Sequence, residues 1–198
     1  MTVIKGIRRV VVACEQSQSL TSALLSRGHE VISVDLLPGD KNLPHHQGDV
    51  VEYLESLCPG DVDDIVAFPP CTYLCKAQMW MQGRVSSRDK AVDFINYLWN
   101  YDCERVALEN PVGFLNNNWL KPSQIISPHQ FGDDYKKDIC LWLRNFPELF
   151  TLVPFGEKHH RKVDNHCNGR MSRSQKSVIR SSWKFYPQLC NHIAESWF

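Results

Sequence analysis

Apolar, β-branched runs alternate with segments of helical spacing through most of the chain. RRVVVACE (8–15) predicts a buried strand, and SLTSALLSRG (19–28) a helix with Gly28 as its cap. EVISVDLLPGD (30–40) predicts a second strand ending in an acid and a Pro-Gly turn, with a short helix to follow over VVEYLESLCPGD (50–61). DIVAFPPC (64–71) predicts a third strand, SSRDKAVDFINYLWNYD (86–102) a helix with a serine N-cap, and ERVALENP (104–111) a fourth strand. ICLWL (139–143) predicts a fifth strand, and WKFYPQLCNHIAESW (183–197) an amphipathic C-terminal helix. Strands regularly separated by helices imply an α/β fold, a doubly wound and mostly parallel sheet with helices on both faces. Right-handed crossovers bring the carboxyl ends of parallel strands to one edge, where such sheets bind ligands. On that edge lie ACEQS, VDLLP, PPC and ENP.

The length, 198 residues with 43% hydrophobic, suits one domain with a full core. No apolar run is long enough to span a bilayer, and the first residues, MTVIKGIRRVVVACEQ, have the pattern of a first strand rather than a signal peptide. A cytoplasmic protein with no membrane partner is expected. Eight cysteines show no disulfide-like spacing, and several lie in apolar runs, where cysteine is a small core residue. Cys71 and Cys75 lack a second pair at a finger-like distance, and HHRKVDNHC (159–167) is suggestive but irregular, so no metal site is expected. Net charge is formally zero, yet residues 156–184 hold eight Lys/Arg against two acids. Such a segment is either a phosphate-contacting arm or a solvated loop. The division expected is a catalytic core over 1–155, a basic flexible arm over 156–184, and a C-terminal helix over 185–198 packing back on the core.

Two prolines running straight into Cys71 end a strand and stiffen the turn, since neither ring supplies an N–H. Cys71 is then either a packed thiol or one presented at the ligand edge. Glu109 ends a buried-looking strand, where an unpaired carboxylate is costly, or else turns to solvent. Taken together, PPC after one strand and ENP after the next resemble the cytosine-C5 DNA methyltransferase family. The chain is most similar to its short phage- and prophage-encoded members, which lack a large target-recognition domain. The resemblance covers most of residues 8–154, with a weaker echo at 181–197.

That resemblance implies a Rossmann-like methyltransferase fold and S-adenosylmethionine-dependent methylation of cytosine at C5 in DNA. Cys71, in the turn begun by Pro70, is the implied nucleophile towards ring carbon C6; its addition pushes electron density to C5 and splits one hard step into two. Glu109 is implied to bond ring N3 and the exocyclic amine, with Asn110 holding the turn. PHQFGDDYKKDICLWL (128–143) carries over Gln130 and Lys137 as groups near the base or its phosphates, with Lys136 as runner-up. On the cofactor side, Ala13, Cys14 and Glu15 meet the methionine part, Asp35 the ribose hydroxyls, Asp49 the adenine, and Pro69 lines the site. Asp35 as a helix-dipole partner and Asp49 as an N-cap are the local alternatives. The first turn, ACEQSQS, has no glycine where the common family pattern is Gly-rich, although the short phage members also often begin with ACE.

A stacked base is out of reach inside a duplex, so the implied partner is DNA with a flipped base or a single strand. A separate recognition subunit is a further candidate partner. The insert KAQMWMQGRVSSR (76–88), with Lys76, Met79, Trp80, Met81 and Arg84, is either a wedge against bases or a lid. Two rival functions stand beside the main one. One is a catalytically weak, methyltransferase-like binding protein that interferes with host restriction or defence. The other is an enzyme of the same fold that modifies RNA or a nucleotide. The resemblance places the protein in a bacterial host, encoded by a phage or prophage.

Overall fold

The computed structural model describes residues 6–75, 85–134, 136–152 and 186–198. The basic arm over 156–184 and residues 76–84 of the aromatic insert lie outside the described residues.

One sheet holds β1 (Arg9–Ala13), β2 (Glu30–Asp35), β3 (His45–Gln47), β4 (Asp64–Ala67), β5 (Arg105–Pro111), β6 (Gln124–Ile126) and β7 (Ile139–Arg144). Its order is β3-β2-β1-β4-β5-β7-β6. The first five strands are parallel. β7 runs antiparallel to β5, and β6 antiparallel to β7. The helices are α1 (Ser19–Leu25), α2 (Val50–Glu55), α3 (Val85–Asn100), α4 (Leu115–Asn118) and α5 (Pro187–Trp197). This is the doubly wound, mostly parallel, Rossmann-like α/β fold that the sequence predicts. Ser86 lies inside α3, which already includes Val85, so it is not the cap expected of it. No described helix is long and apolar enough to cross a membrane.

The strand residues divide by their period of two. Val10 and Val12 of β1 join Leu20 and Leu24 of α1 and Leu189, Ile193 and Trp197 of α5 on one face. Val11 and Ala13 join Leu54 of α2 and Ile95 and Leu98 of α3 on the other. Burial on both faces is why β1, β4 and β5 read as unbroken apolar runs. α1 closes at Gly28, whose φ of 84° suits glycine. Asp133 receives α5, accepting from the backbone N–H groups of Gln188 at 3.0 Å and Leu189 at 2.9 Å.

The amino edge of the sheet is clamped by charge. Asp64, fully buried, pairs with Arg8 at 2.7 Å and Arg105 at 2.6 Å. Arg105 also donates to the Trp197 carbonyl at 2.8 Å, fastening α5 to the same corner. That leaves the carboxyl edge for chemistry. Strand order reverses between β1 and β4, which opens the crevice where such sheets hold ligands.

Candidate active site

β4 gives way to buried Pro69, exposed Pro70 and half-buried Cys71. The Cys71 carbonyl accepts from Leu74 N and Cys75 N, both at 3.0 Å, so the cysteine starts a single helical turn. β5, next door, ends in Glu109, Asn110 and Pro111. The two loops are tied at three points. Asn110 Nδ2 donates to the Pro69 carbonyl at 2.9 Å, a buried bond. Phe114 N donates to the Leu74 carbonyl at 2.7 Å. Cys75 and Gly113 form an antiparallel bridge. The backbones approach so closely that a Cβ at Gly113 would overlap the Leu74 carbonyl oxygen and stand 3.2 Å from Cys75 Cα. Cys71 and Glu109 are therefore held by one braced unit.

Charge connects the same residues. Burial pushes the Cys71 thiol up from its ordinary value, Lys137 pulls it down, and Glu109 pushes it up again. Cysteine, carboxylate and amine thus share one field. Glu109 is 7% exposed and faces Leu141 across the β5–β7 pairing. Lys137 precedes β7 by two residues, with its backbone N–H on Ser127 Oγ at 3.0 Å. Gln130, 2% exposed, spends its side-chain oxygen on Ser127 N at 2.6 Å, completing a reciprocal capping box around the short 3-10 turn Pro128–Phe131. Ser127 thus links the Gln130 side chain to the Lys137 backbone.

The other half of the crevice is the turn after β1. Cys14 has φ 60° and Gln18 φ 51°, so two residues with side chains adopt the left-handed conformation that glycine takes more easily. Gln18 is fully buried; its amide donates to Ser33 Oγ at 3.1 Å and the Leu43 carbonyl at 3.2 Å, and accepts from Lys41 N at 2.9 Å. These bonds hold the turn without glycine. Glu15 is also fully buried and accepts from Leu20 N at 2.6 Å, Thr21 N at 3.2 Å and Thr21 Oγ1 at 2.6 Å. Burial pushes its carboxyl up to about 6, against those bonds. In dinucleotide-binding folds a pyrophosphate takes this place at the start of the first helix. Here an internal carboxylate fills it, so a phosphate-anchored cofactor has no seat.

Two acids face that turn. Burial pushes the Cys14 thiol up, and Asp35 and then Asp49 push it further. Asp35 Oδ1 accepts from Leu37 N at 2.9 Å, and Asp49 caps α2 by accepting from Val51 N at 2.7 Å and Glu52 N at 3.3 Å. In both, the local bonds fall on Oδ1 alone. The Ser17 hydroxyl is buried with no partner among the described residues. A phosphate-free ligand carrying positive charge and hydroxyls fits this donor set, and S-adenosylmethionine is such a ligand. Beside it, a cleft of about 410 Å³ runs between Pro70, Thr72 and Tyr73 and the α3 residues Ser87, Lys90, Ala91 and Phe94.

Sequence reasoning missed Gly113, the capping task of Glu15, and Gln18. Only Gly113 left a trace, as the glycine just after ENP.

No family model matches the chain, and no curated protein matches it in sequence. Among solved structures, the fold is similar to the Entamoeba histolytica methyltransferase EhMeth, with TM-score 0.48 and 14% identity over 78% of this chain and 56% of that one. It is similar to the S. pombe Dnmt2 methyltransferase, with TM-score 0.48 and 15% identity over 85% of this chain and 58% of that one. It is also similar to the bifunctional kinase-methyltransferase WbdD, with TM-score 0.41 and 12% identity over 72% and 38%. The chain thus spans less than two thirds of each. Likeness at this distance does not reach function, which rests on the residues above.

Proposed function

We propose that the protein methylates cytosine at C5 in DNA, through a covalent bond between Cys71 and ring carbon C6. The observation that carries this is the brace joining the Cys71 loop to the Glu109 loop, with Lys137 in the same field. S-adenosylmethionine, held by the turn after β1 with Asp35 and Asp49, would supply an electrophilic methyl group.

The residues' own part follows from their charges. Without substrate, burial and the Glu109 carboxylate keep Cys71 a thiol. When ring N3 shares with Glu109 a proton taken up from solvent, that negative charge is neutralised and its push on the thiol disappears. The pull of Lys137 remains. Cys71 then releases its own proton to solvent, so that no net proton is gained, and the sulfur adds its electron pair to C6. Density passes to C5, and N3 is held protonated by Glu109. After methyl transfer a base takes the C5 proton and the C–S bond breaks, returning the pair to sulfur. Activation is thus coupled to having the right ring in place, because only a pyrimidine with an acceptor at N3 relieves the repulsion.

Mass spectrometry of nucleosides from cells expressing the protein tests this. 5-Methylcytosine is expected in DNA with the wild type and absent with Cys71→Ala. Methylation that survives Cys71→Ala, or appears in RNA alone, refutes the proposal. The glycine-free first turn, ACEQSQS, favours a catalytically weak binding protein, and the raised Cys71 thiol is in line with it. Calorimetry that detects no S-adenosylmethionine binding would select that alternative.

A further inference from the structure

The described residues include six arginines, and five have their guanidinium groups engaged. Arg8 and Arg105 grip Asp64, Arg9 pairs with Asp63, and Arg27 reaches Ala23 O and Asn191 O. Arg144 donates to the carbonyls of Trp99, Tyr101 and Cys103. Arg88 differs. Its Nε is buried without an acceptor, no described carboxylate pairs with it, and its guanidinium lies over the Phe114 ring at 4.9 Å. Because Nε has no accessible surface, a ligand oxygen must come to the two terminal amines of the guanidinium.

Its place gives the ligand. Phe114 N bonds Leu74 O, and Leu74 N bonds Cys71 O, so the ring beneath Arg88 belongs to the unit that holds the nucleophile. Ser87, Lys90 and Ala91, its neighbours on α3, line the cleft whose far wall is Pro70, Thr72 and Tyr73. A planar, delocalised cation backed by an aromatic ring is suited to a phosphate, which takes two parallel N–H bonds. We infer that Arg88 binds the backbone phosphodiester adjoining the target base, with Lys90 adding charge at the mouth of the cleft. Arg88 is thereby a positioning residue that sets where the pyrimidine stops over Cys71. This rests on the nucleic-acid reading above, and the test keeps the two separable.

Single-stranded oligonucleotides with one cytosine, each carrying a methylphosphonate at a different backbone position, are titrated by fluorescence anisotropy into wild type, Arg88→Gln and Arg88→Lys. One neutralised phosphate beside the cytosine should weaken wild-type binding about tenfold. Arg88→Gln should weaken binding to the unmodified strand by a similar factor, be blind to that modification, and lower the salt slope by about one charge. Arg88→Lys should recover part of the loss. The stem of Gln still covers Phe114, and thermal unfolding confirms that each variant is folded. The inference is overturned if Arg88→Gln binds like wild type, keeps the same position sensitivity, or loses only S-adenosylmethionine affinity. Methyl transfer is followed on the same strands. Position-specific binding without methylation upholds the phosphate site and refutes the cytosine reading. Methylation indifferent to Arg88 does the reverse. A wild type that binds no oligonucleotide overturns the inference.

Discussion

Gly113→Ala places one methyl group where the two loops of the site touch. Its φ is unexceptional, so the effect is steric alone. The new carbon would overlap the Leu74 carbonyl oxygen, and Cys75 Cα at 3.2 Å blocks retreat on that side. Both are backbone atoms, which cannot swing aside as a side chain would. Restoring ordinary contact, roughly 3.5 Å, requires the loops to part by on the order of 1 Å. That motion strains the Phe114–Leu74 bond and the Cys75–Gly113 bridge. Overpacking of this kind costs about 1–3 kcal/mol, which lowers the melting temperature by roughly 2–4 °C per kcal/mol in a chain of this size. The larger effect is on chemistry. A 1 Å displacement of Cys71 relative to Glu109 reduces methyl transfer by about 100-fold. Calorimetric unfolding and a single-turnover methylation assay measure the two, with Gly6→Ala, which meets nothing within 4 Å, as the control. A Gly113→Ala protein that methylates at the wild-type rate would show that the brace does not set the active geometry.

Glu109→Gln should lower the Cys71 thiol pKa and Lys137→Gln should raise it, because the first removes a negative charge and the second a positive one. Site-resolved alkylation across pH reads this, and the reasoning fails if Glu109→Gln slows alkylation of Cys71. The same Glu109→Gln change should lower methyl transfer by about 100-fold or more, although the thiolate is easier to form. Asp64→Ala leaves Arg8 and Arg105 facing each other and should destabilise by about 3 kcal/mol, seen as a lower denaturant midpoint with an unchanged slope. Glu15 has a folded-state pKa of about 6 against 4.5 unfolded, so between those values the folded chain binds more protons than the unfolded one. Its share of stability is present in full well below pH 4.5 and falls by roughly 2 kcal/mol in all as pH rises through 6. Glu15→Gln should flatten that slope, and an unchanged slope would mean that another group titrates there.

The parts legible in sequence are those that leave a local mark. β1, β4 and β5 are buried on both faces, so they show as apolar runs, and their proline and acid endings point to the carboxyl edge. β3 and β6, three residues each, are strands only because a neighbour's backbone pairs with them; His45–Gln47 has no apolar pattern at all. Nor does the composition of ICLWL tell that β7 runs antiparallel. At the site, Cys71, Glu109 and Lys137 are nameable from the family resemblance, as is Asn110 holding the turn, whereas the Phe114–Leu74 and Cys75–Gly113 contacts are not, because they join backbone groups about forty residues apart. The turn Ser127–Gln130 was within reach, since Ser-x-x-Gln is the signature of a capping box. The glycine-free first turn illustrates the converse. Left-handed φ at Cys14 and Gln18 is maintained by distant partners, Val34 O for one and Ser33, Lys41 and Leu43 for the other.

The most direct test is chemical capture. A DNA strand containing 5-fluorocytosine, incubated with the protein and S-adenosylmethionine, has no C5 proton to lose, so an adduct formed by thiolate attack persists. Denaturing mass spectrometry and peptide mapping should find the strand joined to the Cys71 peptide, with no adduct from Cys71→Ala. An adduct on another cysteine, or no adduct under conditions where ordinary cytosine is methylated, would contradict covalent attack by Cys71.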